Sequence, residues 1–178
     1  IEAGFGFRIG NPDQWRLKHE YAGGGALMDV GIYALQACRY LAGEEPIEIN
    51  ATETKTDPIK FSEVDESITW TMKFKNGVNS YCSTSYAFNG INRFNAYGDK
   101  GSFGLNPGFS YGGITGKTSK GDPIQFPAID QFAAEMLRQI WGVEGVFDGP
   151  AERTESAAGA MVWYSARPEH VKLRINLS

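Results

Sequence analysis

The sequence predicts an α+β domain built on a largely antiparallel, meandering sheet with flanking helices. Through the middle of the chain, segments in which apolar and polar residues alternate follow one another, separated by short turn sequences. Segments with helical spacing lie before and after this region and do not alternate with the strands. A doubly wound α/β domain, in which strands and helices take turns along the chain, is therefore disfavoured.

The N-terminal part of the chain predicts one strand, one loop and one helix. Residues 2–9 form the strand, and residues 10–25 form a loop that contains the run Gly23-Gly24-Gly25. Residues 27–42 predict a buried helix that ends at Gly43, because glycine readily adopts the left-handed conformation that closes many helices.

The middle of the chain predicts a series of strands, of which residues 67–75 are the clearest. Every second residue of this segment is apolar, namely Ile68, Trp70, Met72 and Phe74. Asn76-Gly77 follows and predicts a type I′ hairpin turn. The other predicted strands lie at residues 46–55, 78–88, 91–98, 102–106, 109–115 and 123–127, with tight turns at 98–101 and 116–121.

The C-terminal part of the chain predicts less regular structure. Residues 128–141 carry an amphipathic helical stripe, whereas residues 153–166 predict a weaker helix interrupted by Gly159. Residues 170–176 predict a short edge strand. A chain of 178 residues can bury one core, so we interpret residues 1–178 as a single domain.

Composition excludes several classes of function. The net charge is −4 and lysines and arginines form no run, so nucleic acid is not an expected partner. Cys38 and Cys82 are far apart in sequence and belong to no CxxC or Cys/His cluster, and His19 and His170 have no ligand-like spacing. We therefore expect neither a metal site nor a disulfide framework. The longest apolar stretch falls well short of the roughly 20 residues that span a bilayer, so no membrane contact is expected.

The start of the chain, Ile1-Glu2-Ala3, resembles neither an initiator methionine nor a secretory leader. We therefore expect that the sequence begins partway through a longer protein. The expected compartment is the cytoplasm, with the periplasm as the alternative.

A dinucleotide-binding fingerprint is not present at the N-terminus. Gly4, Gly6 and Gly10 do not fit the spacing G-x-G-x-x-G, and Pro12 stands where the phosphate-binding helix would begin. A strand that contains glycines and runs into a loop explains this segment better.

The segment with the most chemical potential is the glycine run and the helix that follows it. Three glycines allow a close approach of the backbone to another group. Asp29 and Tyr33 are four residues apart, which places an acid and a phenol on one helical face as a usable proton-transfer pair. Two structural interpretations compete with this. Asp29 could stabilise the helix N-terminus, and Tyr33 could be a core tyrosine whose hydroxyl has a partner.

The residues Gln14 to Tyr33, with the motif GGG-A-L-x-D-x-G, and the continuation Arg39 to Glu48 resemble the glucose–fructose oxidoreductase / inositol dehydrogenase family (Gfo/Idh/MocA), in particular its glucose–fructose oxidoreductase subgroup. The resemblance is strong over residues 12–50 and looser to about Met136. It implies a largely antiparallel C-terminal domain that would complete the active site of an N-terminal Rossmann domain.

The resemblance also implies roles for four residues. Asp29 and Tyr33 would be the catalytic and substrate-binding pair, and Tyr33 would exchange the proton of a sugar hydroxyl. Trp15 and Arg16 match the segment that meets the cofactor, which would be NADP or NAD and would be bound mainly by the Rossmann domain. The catalytic lysine of the family's E-K-P motif has no counterpart in this sequence.

The expected function is therefore that of the substrate-side domain of a sugar oxidoreductase, inactive without its Rossmann domain and forming homo-oligomers through the open face of its sheet. The alternative is a non-catalytic oligomerisation or carbohydrate-binding module. Trp15, Trp70 and Trp141 could stack on sugar rings, although Trp70 and Trp141 lie on predicted apolar faces and are better explained by core packing.

Overall fold

A computed structural model describes residues 1–128 of the chain. The predicted helices at 128–141 and 153–166, the predicted strand at 170–176 and Trp141 therefore lie outside the described residues. The described strands are β1 (Glu2–Gly6), β2 (Pro46–Thr54), β3 (Ser67–Phe74), β4 (Asn79–Ser85), β5 (Ile91–Gly98), β6 (Gly101–Leu105), β7 (Ile114–Thr118) and β8 (Pro123–Phe126).

These eight strands form one sheet in the order β2-β3-β4-β1-β5-β6-β7-β8. Neighbouring strands are antiparallel except for β1 and β4, which pair in parallel. The predicted α+β class is confirmed, but the sheet is not a simple meander, because the first strand lies between β4 and β5. Such a pairing joins residues distant in sequence, so alternation within each strand could not reveal it.

The helical elements lie between β1 and β2. A 3-10 turn (Trp15–Leu17) and the short helix α1 (His19–Ala22) occupy the segment that was predicted to be loop alone. The predicted helix at 27–42 is confirmed, but it begins with a π-helical turn (Leu27–Gly31) and continues as α2 (Ile32–Ala42). It ends at Gly43, whose φ of 73° is left-handed, as predicted.

Two local predictions were wrong. Asn76-Gly77 does not form a type I′ turn, which needs positive φ at both residues, because Gly77 has a φ of 88° and Asn76 does not have positive φ. The hairpin instead uses a three-residue loop, in which the Gly77 amide bonds to the Phe74 carbonyl and the Phe74 amide to the Val78 carbonyl.

The predicted strand at 109–115 is also shifted, and with it the predicted turn at 116–121, because β7 spans Ile114–Thr118. The preceding loop is held by Asn92, whose side-chain oxygen accepts hydrogen bonds from the amides of Gly108 (2.9 Å) and Phe109 (2.6 Å). Phe109 is 3% exposed and packs in the core from this loop, so its apolar character reflects burial and not strand pairing.

Two clusters of buried residues hold the domain together. The main core lies between α2 and one face of the sheet, and its buried residues are Ala3, Ala34, Cys38, Ala42, Trp70, Met72, Phe74, Cys82, Phe94 and Phe109. The corner core lies beside the end of β4 and consists of Ile9, Leu17, Ala26, Phe61, Val64 and Tyr86. The prediction that Trp70 packs in the core is confirmed.

The opposite face of the sheet is not covered by a described helix. Thr69, Thr71 and Lys73 on β3 are exposed on it, as the alternation of this strand predicts. Two tyrosines, Tyr81 and Tyr97, are also exposed, by 62% and 65%. We call this surface the open face.

Candidate functional site

The glycine run passes directly against the backbone of the loop before β3. A Cβ atom on Gly25 would lie 2.0 Å from the carbonyl oxygen of Asp65, a distance that no side chain can tolerate. Asp65 in turn accepts hydrogen bonds on its carboxylate from the amides of Gly25 (2.7 Å) and Leu27 (2.8 Å). The glycine run predicted a close approach of the backbone to another group, and that group is Asp65. The Asp65 carboxylate accepts hydrogen bonds from the first amides of the helix, which have no partner within the helix.

Asp29 lies in the π-helical turn, and its carboxylate does not cap the helix. Its Oδ2 atom accepts hydrogen bonds from Nε of Arg16 (2.9 Å) and from the hydroxyl of Tyr86 (3.0 Å). The capping role that competed with the catalytic interpretation belongs to Asp65. These two hydrogen bonds fix the orientation of the Asp29 carboxylate. Single π-helical turns are rare in proteins, and those that occur are often found at functional sites.

Tyr86 anchors this arrangement from the corner core. Its side chain is 1% exposed, and its ring packs edge-on against Phe7 and face-on against Phe61, with centroids 5.4 Å and 6.4 Å apart. Burial, followed by the negative charge of Asp29, raises the pKa of the Tyr86 phenol above its ordinary value. Tyr86 therefore remains a hydrogen-bond donor to Asp29 throughout the neutral range.

Tyr33 lies in the first turn of α2 and is half-buried. Its ring packs edge-on against Phe5, with centroids 5.6 Å apart, and its hydroxyl lies 2.9 Å from the hydroxyl of Tyr111. Burial, and then the bond with Tyr111, raise the pKa of the Tyr33 phenol, and the charge of Asp29 acts in the same direction. The Tyr33 hydroxyl therefore has a hydrogen-bond partner, and this hydrogen bond lies in an exposed position although the ring is half-buried.

Trp15 and Arg16 come from the 3-10 turn before α1. Trp15 is 52% exposed, and the guanidinium carbon of Arg16 lies 4.6 Å from the centre of its ring. This distance is within the range of a cation–π contact. Because the same guanidinium pairs with Asp29, the 3-10 turn and the π-helical turn are joined through one side chain.

The structure thus connects all four residues that the sequence singled out. Arg16 joins Trp15 to Asp29, and Tyr33 follows Asp29 by one helical turn at the start of α2. The residues that sequence reasoning missed are Asp65, Tyr86 and Tyr111. The burial of Tyr86 could have been predicted from the sequence, because Cys82, Thr84 and Tyr86 are alternate residues and therefore point to the same buried face. No local pattern marks Asp65 or Tyr111 as a neighbour of the helix.

Two further properties concern the described residues. No helix within residues 1–128 is long and apolar enough to cross a membrane. In the same part of the chain there is no group of three or more histidine, cysteine, aspartate or glutamate side chains that could hold a metal ion.

Comparison with known proteins finds one matching family profile, a related dehydrogenase and several similar structures. Residues 1–104 match the family profile of the GFO/IDH/MocA C-terminal domain. A D-xylose 1-dehydrogenase [NADP(+)] from Haloarcula marismortui is 31% identical over 102 residues, which cover 57% of this chain and 28% of that protein.

Two solved structures resemble the fold. An aldose–aldose oxidoreductase from Caulobacter crescentus, complexed with glycerol, is 41% identical with a TM-score of 0.64, over 72% of this chain and 39% of that one. A 3-ketoreductase from Actinomadura kijaniata, in complex with NADP and TDP-benzene, is 21% identical with a TM-score of 0.64, over 90% of this chain and 49% of that one. The chain therefore spans less than half the length of each of these relatives.

The profile covers more than half of the chain and includes the glycine run, the π-helical turn, α2 and β1 to β5. The chain therefore belongs to the GFO/IDH/MocA family, and its residues 1–104 correspond to the C-terminal domain of that family.

Proposed function

We propose that this chain is the substrate-side domain of a longer nicotinamide-dependent sugar oxidoreductase. The reaction is hydride transfer between a sugar carbon and the nicotinamide ring of NADP or NAD. The observation that carries the proposal is the position of Asp29, held by two donors in a π-helical turn one turn before Tyr33. The names of the relatives, a D-xylose dehydrogenase and an aldose–aldose oxidoreductase, favour an aldose as the substrate.

Asp29 orients the substrate in this proposal. Its Oδ2 atom already accepts from Arg16 and Tyr86, which fixes the plane of the carboxylate. The Oδ1 atom is then the natural acceptor for a sugar hydroxyl. Tyr86 is a positioning residue, because it acts on the substrate through Asp29 and does not contact it.

Tyr33 exchanges the proton of the reacting hydroxyl. In sugar oxidation the tyrosine takes this proton as the hydride leaves the carbon, and in reduction it returns the proton. Its raised pKa keeps the phenol protonated at neutral pH, so Tyr33 is ready to donate but needs a nearby cation to act as a base. The family resemblance assigns this cation to a lysine of the Rossmann domain. Tyr111, bonded to the Tyr33 hydroxyl, fixes its direction.

Trp15 and Arg16 form the proposed cofactor-facing surface. The exposed indole offers a flat apolar face to a nicotinamide or ribose, and the guanidinium beside it is a donor for phosphate. The greater part of the dinucleotide would be bound by the Rossmann domain, because this chain has no dinucleotide-binding fingerprint.

The open face supports a second role in assembly. Tyr81 and Tyr97 are exposed among polar side chains, and aromatic residues of this kind are enriched in protein interfaces. We propose that a second copy of the chain covers this face. Sedimentation of the chain at high concentration should show a dimer or larger species that a Tyr81→Arg substitution reduces to monomer, and a monomeric parent chain would contradict it.

The proposed domain organisation is tested by the coding sequence on both sides of this segment. We expect an in-frame strand, a G-x-G-x-x-G turn, a helix and an E-K-P motif upstream. The chain of 178 residues alone, mixed with NADP or NAD and aldoses, should then show no turnover in the nicotinamide absorbance. Robust turnover by this chain alone would overturn the proposal.

A further inference from the structure

The two cysteines of the sequence meet in the main core. Cys38 belongs to α2 and is 0% exposed, whereas Cys82 belongs to β4 and is 6% exposed. They are 44 positions apart in the chain, and their Sγ atoms lie 3.5 Å from each other. Because the sequence contains two cysteines, every thiol of the chain belongs to this pair and one intramolecular disulfide is possible.

Packing alone does not require this contact. The other small residues on the same side of α2 are Ala34 and Ala42, which let the helix approach the sheet without any polar atom. Cysteine at position 38 instead places a sulfur against the sulfur of the facing strand. The two atoms must close from 3.5 Å to about 2.05 Å to bond, a movement of the order that side-chain rotation and a small shift of α2 provide.

The surroundings distinguish the two thiols. The hydrogen bond from Cys38 lowers the pKa of the Cys82 thiol, and the same bond raises the pKa of Cys38. Ser80 lies two residues before Cys82 on the same face of β4, and its buried hydroxyl has no hydrogen-bond partner of good geometry within residues 1–128. This hydroxyl is therefore available to donate to a thiolate that forms beside it.

We propose that Cys38 and Cys82 form a reversible dithiol–disulfide couple, which reacts with low-molecular-weight disulfides when α2 opens locally from the sheet. The Cys82 thiolate attacks one sulfur of the small disulfide and expels the other sulfur as a thiolate, which leaves a mixed disulfide on Cys82. The Cys38 thiolate then attacks the Cys82 sulfur and expels the second small thiolate. Two protein thiols are oxidised, the small disulfide is reduced to two thiols, and the two protons move to them.

The disulfide would connect two elements of the candidate site. α2 carries Tyr33, and β4 leads directly to Tyr86, which holds Asp29. A disulfide between Cys38 and Cys82 restrains the movement of α2 relative to the sheet. In the oxidised form, the positions of Tyr33 and Tyr86 relative to each other should therefore vary less.

The experiment is a redox titration of the full chain in buffers of reduced and oxidised dithiothreitol. A low concentration of urea during equilibration allows α2 and β4 to separate transiently, so that the buried thiols can react. Free thiols are then labelled with a maleimide of high mass under denaturing conditions and counted on a gel. We expect the doubly labelled chain to convert to unlabelled monomer as the oxidised fraction rises, and reduction to reverse the change. The thermal midpoint should rise by roughly 10 °C in the oxidised form.

Cys38→Ala and Cys82→Ala are the control variants. The first is well tolerated sterically because alanine already occupies Ala34 and Ala42 on the same side of α2, and the second removes the facing sulfur of β4. Each should keep one labelled thiol and show no rise in the thermal midpoint under oxidation. Two labelled thiols in the parent chain at every ratio, or disulfides that appear as covalent dimers alone, would overturn the proposal. If a variant fails to fold, the titration of the parent chain still decides. This outcome is independent of the proposed oxidoreductase function.

Discussion

The main core and the corner core are built in different ways. The main core is a continuous apolar layer, in which α2 covers residues such as Trp70, Met72 and Phe94 of the sheet. The corner core has six buried residues, and it is surrounded by polar groups that each have a defined partner, among them Asp65, Glu66 and the Tyr86 hydroxyl.

This difference explains where the candidate site lies. An apolar layer can fix the position of a helix, but it cannot fix the direction of a carboxylate. The corner core can do so because its hydrogen bonds are directional and are partly shielded from water. We therefore expect substitutions in the main core to act through lost volume, and those at the corner to act through lost or displaced polar contacts.

The largest effect is expected for Gly25→Ala. The added Cβ would collide with the carbonyl oxygen of Asp65, so the helix start and the loop before β3 would have to separate. Chemical denaturation should show a loss of about 3 kcal/mol in the free energy of unfolding. Gly24→Ala is the matched control. Its Cβ would crowd the side chain of Met28, which is 60% exposed and can move, so we expect a loss of about 1 kcal/mol.

The next effect is expected for Glu66→Gln. Glu66 is 0% exposed and accepts hydrogen bonds from the amides of Thr56 and Asp57 and from the Thr56 hydroxyl. Burial opposes its ionisation, but these bonds outweigh burial and lower the pKa of the carboxyl. At pH 7 the substitution should reduce the free energy of unfolding by about 2 kcal/mol.

The pH dependence of this loss sharpens the test. A carboxyl whose pKa is lowered by folding stabilises the protein above its unfolded pKa of about 4.3, and this stabilisation disappears as the pH falls through the folded pKa. The difference between the parent chain and Glu66→Gln should thus shrink below about pH 4. Glu63→Gln, at an exposed carboxylate paired with Lys18, should produce a much smaller change at every pH. Equal losses for both substitutions would contradict the account of the corner.

A smaller effect is expected for Tyr86→Phe, which removes the hydroxyl that bonds to Asp29 and keeps the ring. The free energy of unfolding should fall by about 1 kcal/mol. Tyr40→Phe is the control, because the Tyr40 hydroxyl is buried on α2 with no hydrogen-bond partner in the described residues. Its removal should be neutral or slightly stabilising, and a loss equal to that of Tyr86→Phe would argue against the special role of the Asp29 contact.

The smallest effect is expected for Tyr33→Phe at high pH. A phenol whose pKa is raised by folding contributes stability that is complete below its unfolded pKa of about 10 and is lost as the pH rises through the folded value. The parent chain should lose stability above about pH 10 more steeply than Tyr33→Phe, with little difference at neutral pH. Denaturation curves across this range measure the effect, and parallel alkaline profiles would show that Tyr33 does not titrate differently in the folded chain.

Local patterns could predict the strands and helices, but not how distant segments meet. Alternation placed Trp70, Met72 and Phe74 on the buried face, and Gly43 marked the end of α2. The parallel insertion of β1 depends on a pairing with β4, about eighty residues away, that leaves no trace within either strand.

The same limit applies to the candidate site. Spacing brought Asp29 and Tyr33 together, because both lie on one short segment. Asp65 and Tyr111 reach this segment from distant loops, so their polar side chains look like ordinary loop residues in the sequence. The sequence could therefore suggest the proposed reacting pair, Asp29 and Tyr33, but not the residues that hold it.

We propose that this chain supplies the proton-transfer residue of a sugar oxidoreductase. The most direct test of this role is a hybrid that joins the N-terminal half of the Caulobacter crescentus aldose–aldose oxidoreductase to this chain. We expect hydride transfer from an aldose to nicotinamide in the hybrid, with kcat reduced about 100-fold or more by Tyr33→Phe and unchanged by Tyr97→Phe on the open face. An active hybrid in which Tyr33→Phe keeps the full kcat would contradict the claim.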